Sequence, residues 1–82
     1  MNELTRLMQA RALGRDGRGR SLREGTGLSL REVAEAIEVD QATLLRWERG
    51  TTRPRRAAAL RWLLVLESVG ALPSGMASGH VV

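Results

Sequence analysis

The chain contains no cysteine, and its one histidine is His80. Disulfides are therefore impossible, and one imidazole cannot build a metal site. A chain of 82 residues buries only about 60% of the surface its unfolded form exposes, so its stability margin is thin. With disulfide and metal excluded, a partner subunit is the remaining external support. The lack of cysteine also fits a reducing compartment. Lysine and tyrosine are absent as well, and His80 has no acidic neighbour. Nothing assembles a nucleophile, a base and a group to orient it, so the sequence argues against an enzyme and implies no cofactor. No long hydrophobic run exists. The most apolar stretch, 57–66, is interrupted by Arg61 and falls far short of the ~20 residues of a membrane span. No signal-peptide pattern is visible, and the expected location is the cytoplasm, without a membrane partner.

What the chain has in quantity is positive charge. Thirteen basic residues face nine acidic ones, a formal net charge of +4, and every basic residue is arginine. A GC-rich genome would favour that choice through its codons. The guanidinium nevertheless keeps its charge at any pH and grips phosphate or guanine with a planar fork. A small basic domain is expected to meet a polyanion, most often nucleic acid.

The hydrophobic spacing is helical throughout, which predicts an all-α fold without strands, repeats or a second domain. Residues 2–13 place Leu4, Leu7, Met8 and Ala12 on one face of a first helix. Gly14, Asp16, Gly17 and Gly19 read as a flexible hinge; no Gly-Lys-Ser/Thr follows, so it is no phosphate-binding loop. Residues 18–24 make a short helix closed by Gly25 and Gly27. Ser29-Leu30-Arg31-Glu32 is a capping box, and Leu30, Val33, Ala34 and Ile37 carry that helix to about Glu38. Asp40 is an N-cap for a helix from Gln41 to Arg49, with Leu44 and Trp47 inward and Gly50 as the stop. Two helices about three residues apart form a helix-turn-helix, over 29–50. Pro54 suits the first turn of a last helix, 54–69. Its Ala58, Leu60, Trp62, Leu63, Leu64, Leu66 and Val69 are more apolar surface than one helix face needs. The expected domain is 1–70, with 71–82 as a frayed tail.

Gly27-Leu28-Ser29-Leu30-Arg31-Glu32-Val33-Ala34, Val39-Asp40-Gln41-Ala42-Thr43 and Arg46-Trp47-Glu48-Arg49-Gly50 together resemble the phage repressor and Cro family of helix-turn-helix regulators. The resemblance runs from about residue 18 to 69, and the Trp-Glu-Arg-Gly end with a proline four residues later is its most diagnostic piece. It implies a compact bundle of about five helices, the lambda repressor-like fold. The second motif helix would lie in the DNA major groove, and members usually bind as dimers. Gln41 matches a position that contacts a base and a phosphate; Ala42, Leu45 and Arg46 match positions facing the groove floor. Arg49 and the residues just past Gly50 match positions near the DNA backbone. Two positions depart from the pattern. Glu38 stands where relatives usually have Gly, and a left-handed backbone there costs a non-Gly residue roughly 1 kcal/mol. Either the turn is reshaped or the preceding helix runs longer. Leu30 replaces a Gln that often touches phosphate, which leaves Arg31 as the candidate for that contact.

The same residues make physical sense without the family. An α-helix fits the major groove, where Arg pairs with guanine and Gln with adenine through two hydrogen bonds each. Gln41, Ala42, Leu45 and Arg46 share a stripe opposite Leu44 and Trp47. Ala42 allows close approach and contact with a thymine methyl. Leu45 is either a second apolar base contact or a scattered surface leucine. Trp47 is expected in the core rather than stacked on a base. Arg49, Arg53, Arg55 and Arg56 put four arginines within eight residues, and with Arg31 and Thr43 they are the candidate phosphate contacts. Glu48, the one acid among them, is expected to be an internal salt-bridge partner. Trp62, Leu66 and Val69 are candidates for a homodimer contact, unless the first and last helices simply pack on each other. The reading is a double-stranded-DNA-binding transcription regulator, a Cro-like phage or mobile-element repressor on a palindromic operator. It involves no metal and no small-molecule ligand. An antitoxin that binds DNA, and an adaptor that uses the same bundle to hold a protein, remain open as alternatives.

Overall fold

In the computed structural model, residues 2–73 are described. Among them are five helices and no strand: α1 (Glu3–Arg15), α2 (Arg18–Thr26), α3 (Leu30–Ile37), α4 (Gln41–Arg49) and α5 (Arg56–Ser68). Three of them start at a side chain that replaces a missing intrahelical acceptor. Asn2 takes the Thr5 N–H at 2.8 Å, and Asp40 takes the Thr43 N–H at 2.8 Å. At α3 the capping box is complete, Ser29 accepting from the Glu32 N–H at 3.0 Å and Glu32 from the Ser29 N–H at 2.8 Å. Each such cap is worth about 1 kcal/mol.

Helix α5 packs against α1 and α3, while α1 also lies on α2 and α4. The core they enclose centres on Trp62, whose ring meets that of Trp47 at 5.5 Å between centroids and a 43° tilt. Leu13, Val33, Ile37, Leu44 and Leu66 close around the pair. Trp62 Nε1 finds no acceptor among the described residues, where packing holds this indole. Arg6 and Glu67 tie α1 to α5 with two hydrogen bonds of 3.0 and 2.8 Å.

The stretch expected to be a hinge is instead a tight joint. Helix α1 continues through Gly14 to Arg15, and Gly14 and Gly19 are both buried. A Cβ on Gly14 would overlap the backbone carbonyl of Trp47, and one on Gly19 would sit 2.6 Å from Trp62 Cζ2. At Gly14 and Gly19 glycine lets backbone and ring come close, and the turn itself falls at Gly17, with φ 82°. The inward face of α1 is correspondingly Leu7, Ala10 and Leu13, whereas Leu4 and Met8 are 64% and 62% exposed. Helix α2 runs past Gly25 to Thr26, and Pro54 lies buried before α5, whose N-cap is Arg55. Ala71 and Leu72 are not frayed: their N–H groups bond to the Leu66 carbonyl at 2.9 and 3.2 Å, and both pack on the core. The rest of the expected tail, with His80, lies outside the described residues. Trp62 and Leu66 are fully buried within the chain, so neither is available to a second copy; of the three candidates only Val69 is on the surface. Their burial takes up part of the apolar surplus noted in the last helix, while Leu64 and Val69 remain on the surface.

The turn between α3 and α4 keeps its left-handed residue. Glu38 has φ 63° and ψ 43°, and the Val39 N–H closes back on the Ala34 carbonyl at 3.0 Å. Arg61 of α5 donates from Nε to the Ile37 carbonyl at 2.9 Å, capping the end of α3. The turn is neither reshaped nor absorbed into a longer helix, because these contacts hold it against the strain.

Gly14→Ala and Gly19→Ala should each destabilise the fold by about 1–3 kcal/mol through overpacking, although Ala is normally the better helix residue. Glu38→Gly should stabilise it by about 1 kcal/mol by removing the left-handed penalty. Chemical denaturation of the three variants reads both signs.

Candidate nucleic-acid interface

Helix α4 has two sharply different sides. Leu44, Trp47 and Glu48 are 0%, 4% and 4% exposed. Gln41, Ala42, Arg46 and Arg49 are exposed, and Leu45 is half-buried but not part of the core. At 100° per residue, Gln41, Ala42, Leu45, Arg46 and Arg49 fall on one continuous outer stripe. The base-contact candidates are thus brought together on one surface, three of them exposed and Leu45 half-buried among them.

Three contacts fix the direction in which that stripe points. Beneath α4, Arg23 of α2 forms a two-pronged pair with Glu48, Nε to Oε2 at 2.7 Å and Nη2 to Oε1 at 3.0 Å. Its third prong, Nη1, donates to the Leu28 carbonyl at 3.0 Å, linking the pair to the loop before α3. The Glu48 side chain is fully buried and that of Arg23 is 12% exposed. The hydrogen bonds to Glu48 raise the Arg23 pKa above its ordinary value, so this arginine stays charged and committed. Glu48 is therefore the internal partner its sequence position suggested. At the front of α4, the Thr43 N–H holds the Asp40 carboxyl below its usual range, which keeps the cap ionised. At the back, Thr51 donates from both its N–H and its hydroxyl to the Arg46 carbonyl, at 3.0 and 3.2 Å.

The arginines divide by what they already hold. Arg31 is paired with Glu35 at 3.1 Å and Arg56 with Glu3 at 2.6 Å, both on the surface. Exposed pairs of this kind are worth little and exchange readily for other anions. Arg46, Arg49, Arg53 and Arg55 form no ion pair among the described residues; Arg46 makes only a long 3.4 Å contact with the Thr43 hydroxyl. Thr43, Arg46, Thr52, Arg53 and Arg55 border one shallow hollow of about 350 Å³. Of the six phosphate candidates, Thr43, Arg53 and Arg55 converge there, joined by Arg46 from the base-contact set. Arg49 stands on the outer stripe, and Arg31 and Arg56 lie apart. Thr52, one of the residues just past Gly50, lines hollows on both sides of this loop. Arg11 and Arg15 line one of them, yet sequence reasoning did not assign these two to the site. The i, i+4 spacing of Arg11 and Arg15 on one helix face is the signal that could have found them. Leu30 rests partly buried against the core, which accounts for an apolar residue at that position.

No helix among the described residues is long and apolar enough to cross a membrane, and no cluster of metal-ligating side chains occurs among them. A family model described as a helix-turn-helix domain matches residues 20–71. Comparison with curated proteins and with solved structures gives no match.

Glu48→Ala should cost about 3–5 kcal/mol, because it strands the Arg23 guanidinium in a nearly closed site. Replacing both partners, Arg23→Met with Glu48→Leu, should recover most of that loss in thermal melts. Asp40 gives a pH dependence. A carboxyl whose folded pKa is depressed stabilises fully above its unfolded value, near 3.8, and loses that contribution as pH falls through the folded pKa. Asp40→Asn should keep the cap and flatten the acid limb of the melting curve below about pH 4.

Proposed function

Because the chain belongs to the helix-turn-helix domain family, we propose that it is a sequence-specific transcription regulator that reads the major groove of double-stranded DNA with α4. The observation that carries this reading is the two-sidedness of α4. Its inner side is locked by Leu44, Trp47 and the Arg23–Glu48 pair, and the arginines of its outer stripe have no ion-pair partner among the described residues. Gln41 and Arg46 on that stripe have the donor and acceptor geometry for adenine and guanine edges. Ala42 and Leu45 supply apolar contact with thymine methyls. Arg49, Arg53 and Arg55, uncommitted and adjacent, take backbone phosphates, and Thr43 adds a hydroxyl. Arg31 and Arg56 join them by releasing Glu35 and Glu3.

The basic five-helix bundle fits a Cro-like repressor of a phage or mobile element. Such a protein acts as a homodimer on a palindromic operator, with reading helices ~34 Å apart on half-sites one turn apart. The surface available for self-association consists of Leu4 and Met8 on α1, with Leu64 (57% exposed) and Val69 at α5. Leu4 and Met8 form one outer stripe at i, i+4 spacing, on the helix that packs beside α5.

Selection of bound sequences from a random DNA pool should yield a palindromic consensus with guanine and adenine at matched half-site positions. Arg46→Ala should then lose ~1–3 kcal/mol on that sequence and relax preference at one base, with little change on random DNA. If a dimer neutralises about six phosphates, log K should fall with log salt at a slope near −5. Sedimentation should find two chains per selected site. A protein with no DNA affinity, or with salt-independent affinity and no consensus, would defeat the proposal in favour of a protein-binding adaptor.

A further inference from the structure

We propose that α1 carries a second DNA-backbone contact, a phosphate clamp formed by Arg11, Arg15, Arg53 and the Thr52 hydroxyl, with Thr51 in its wall. The clamp rests on the DNA-binding reading above and extends it to a helix outside the matched family region, which begins at residue 20. These five residues line an open hollow of about 340 Å³ on the α1 side of the loop after α4. No carboxylate of the described residues lines it. Three guanidiniums are therefore held around one space without a counter-charge among them. Guanidinium forks and a free hydroxyl are the donor set that phosphate oxygens accept from.

The placement is built into the backbone. The close approach of Gly14 to the Trp47 carbonyl sets the end of α1 against the end of α4. At Gly50 an added Cβ would stand 3.2 Å from the Gly14 carbonyl oxygen and 3.6 Å from Arg15 Cα. Arg15 therefore keeps a fixed position beside the loop whatever its side chain does. Arg11 is oriented by its Nε, which donates to the Pro54 carbonyl at 3.1 Å, and its two terminal nitrogens remain as donors. Arg15 is exposed and forms no ion pair among the described residues; its acidic neighbour Asp16 is engaged by Arg18 at 2.9 Å. Thr52 and Arg53 border this hollow and also the one shared with Thr43 and Arg46. A basic band therefore runs unbroken from the reading helix across the loop to α1. This continuity favours a polymeric phosphate chain over a free ion.

The test compares Arg15→Gln, Arg15→Lys and a charge-matched control, Arg20→Gln, in the full chain. Arg20 pairs with Glu24 one turn along α2 and lines neither hollow of the basic band. Affinity is measured on the selected sequence and on random duplex DNA across a salt series, with folding checked by circular dichroism. Arg15→Gln is expected to weaken both DNAs about fivefold at roughly 0.15 M salt and to flatten the log–log slope by about 0.9 per bound chain. Arg15→Lys is expected to restore both, since a phosphate accepts either cation, and Arg20→Gln to leave the slope unchanged. If Arg15→Gln matches Arg20→Gln while Arg46→Ala still relaxes base preference, the clamp is wrong and the DNA-binding reading stands. If the unmodified chain binds neither DNA, both fall.

Discussion

Helix α4 is nine residues long, too short to be stable in water by itself, so everything about its outer face depends on how its inner face is held. Three different forces share that task. Leu44 and Trp47 supply burial against Trp62 and its neighbours. The Arg23–Glu48 pair supplies direction, since a two-pronged pair tolerates little rotation, and its third hydrogen bond reaches the loop before α3. The backbone of α1 supplies a stop at the far end, where Gly14 meets the Trp47 carbonyl. Burial alone would leave the helix free to roll by part of a turn. A roll of even 40° would change which residues face outward.

The same arrangement sorts the arginines. Arg6, Arg23 and Arg61 work inside the fold, joined to Glu67, Glu48 and the Ile37 carbonyl. Arg46, Arg49, Arg53, Arg55 and Arg15 carry no such commitment among the described residues, and they cluster around α4 and the loop that follows it. These eight identical side chains thus divide into struts and free donors according to which carboxylates and carbonyls the fold brings within their reach. The proposed function uses the second group, but the first group keeps the second in place.

Much of this was legible in the residues. Local hydrogen-bond chemistry announces itself in a few adjacent letters, which is why the caps at Ser29, Glu32 and Asp40 could be read directly. The inward pair Leu44 and Trp47 followed from helical periodicity, and Glu48 stood out as an acid amid arginines. The glycines around position 14 were misread for a physical reason. A glycine that bends the chain and one that admits a neighbouring backbone are identical in sequence, and only the neighbour distinguishes them. The same holds for Trp62 and Leu66, whose apolar character specifies burial without specifying by what. The i, i+4 spacing of Arg11 and Arg15 marks a basic helix face, but it does not say that this face meets a loop some forty positions later.

The sequence by itself determined the helices, their caps, the inward and outward sides of α4 and the sign of the charge, because each of these rests on interactions spanning four residues or fewer. Tertiary structure decided which arginines are spent on ion pairs and which remain free, and that the chain bends sharply rather than flexibly after α1. It also decided that the last helix spends its apolar face within its own chain. These outcomes depend on contacts between segments 24 to 61 residues apart, and no local pattern encodes which distant surface will arrive.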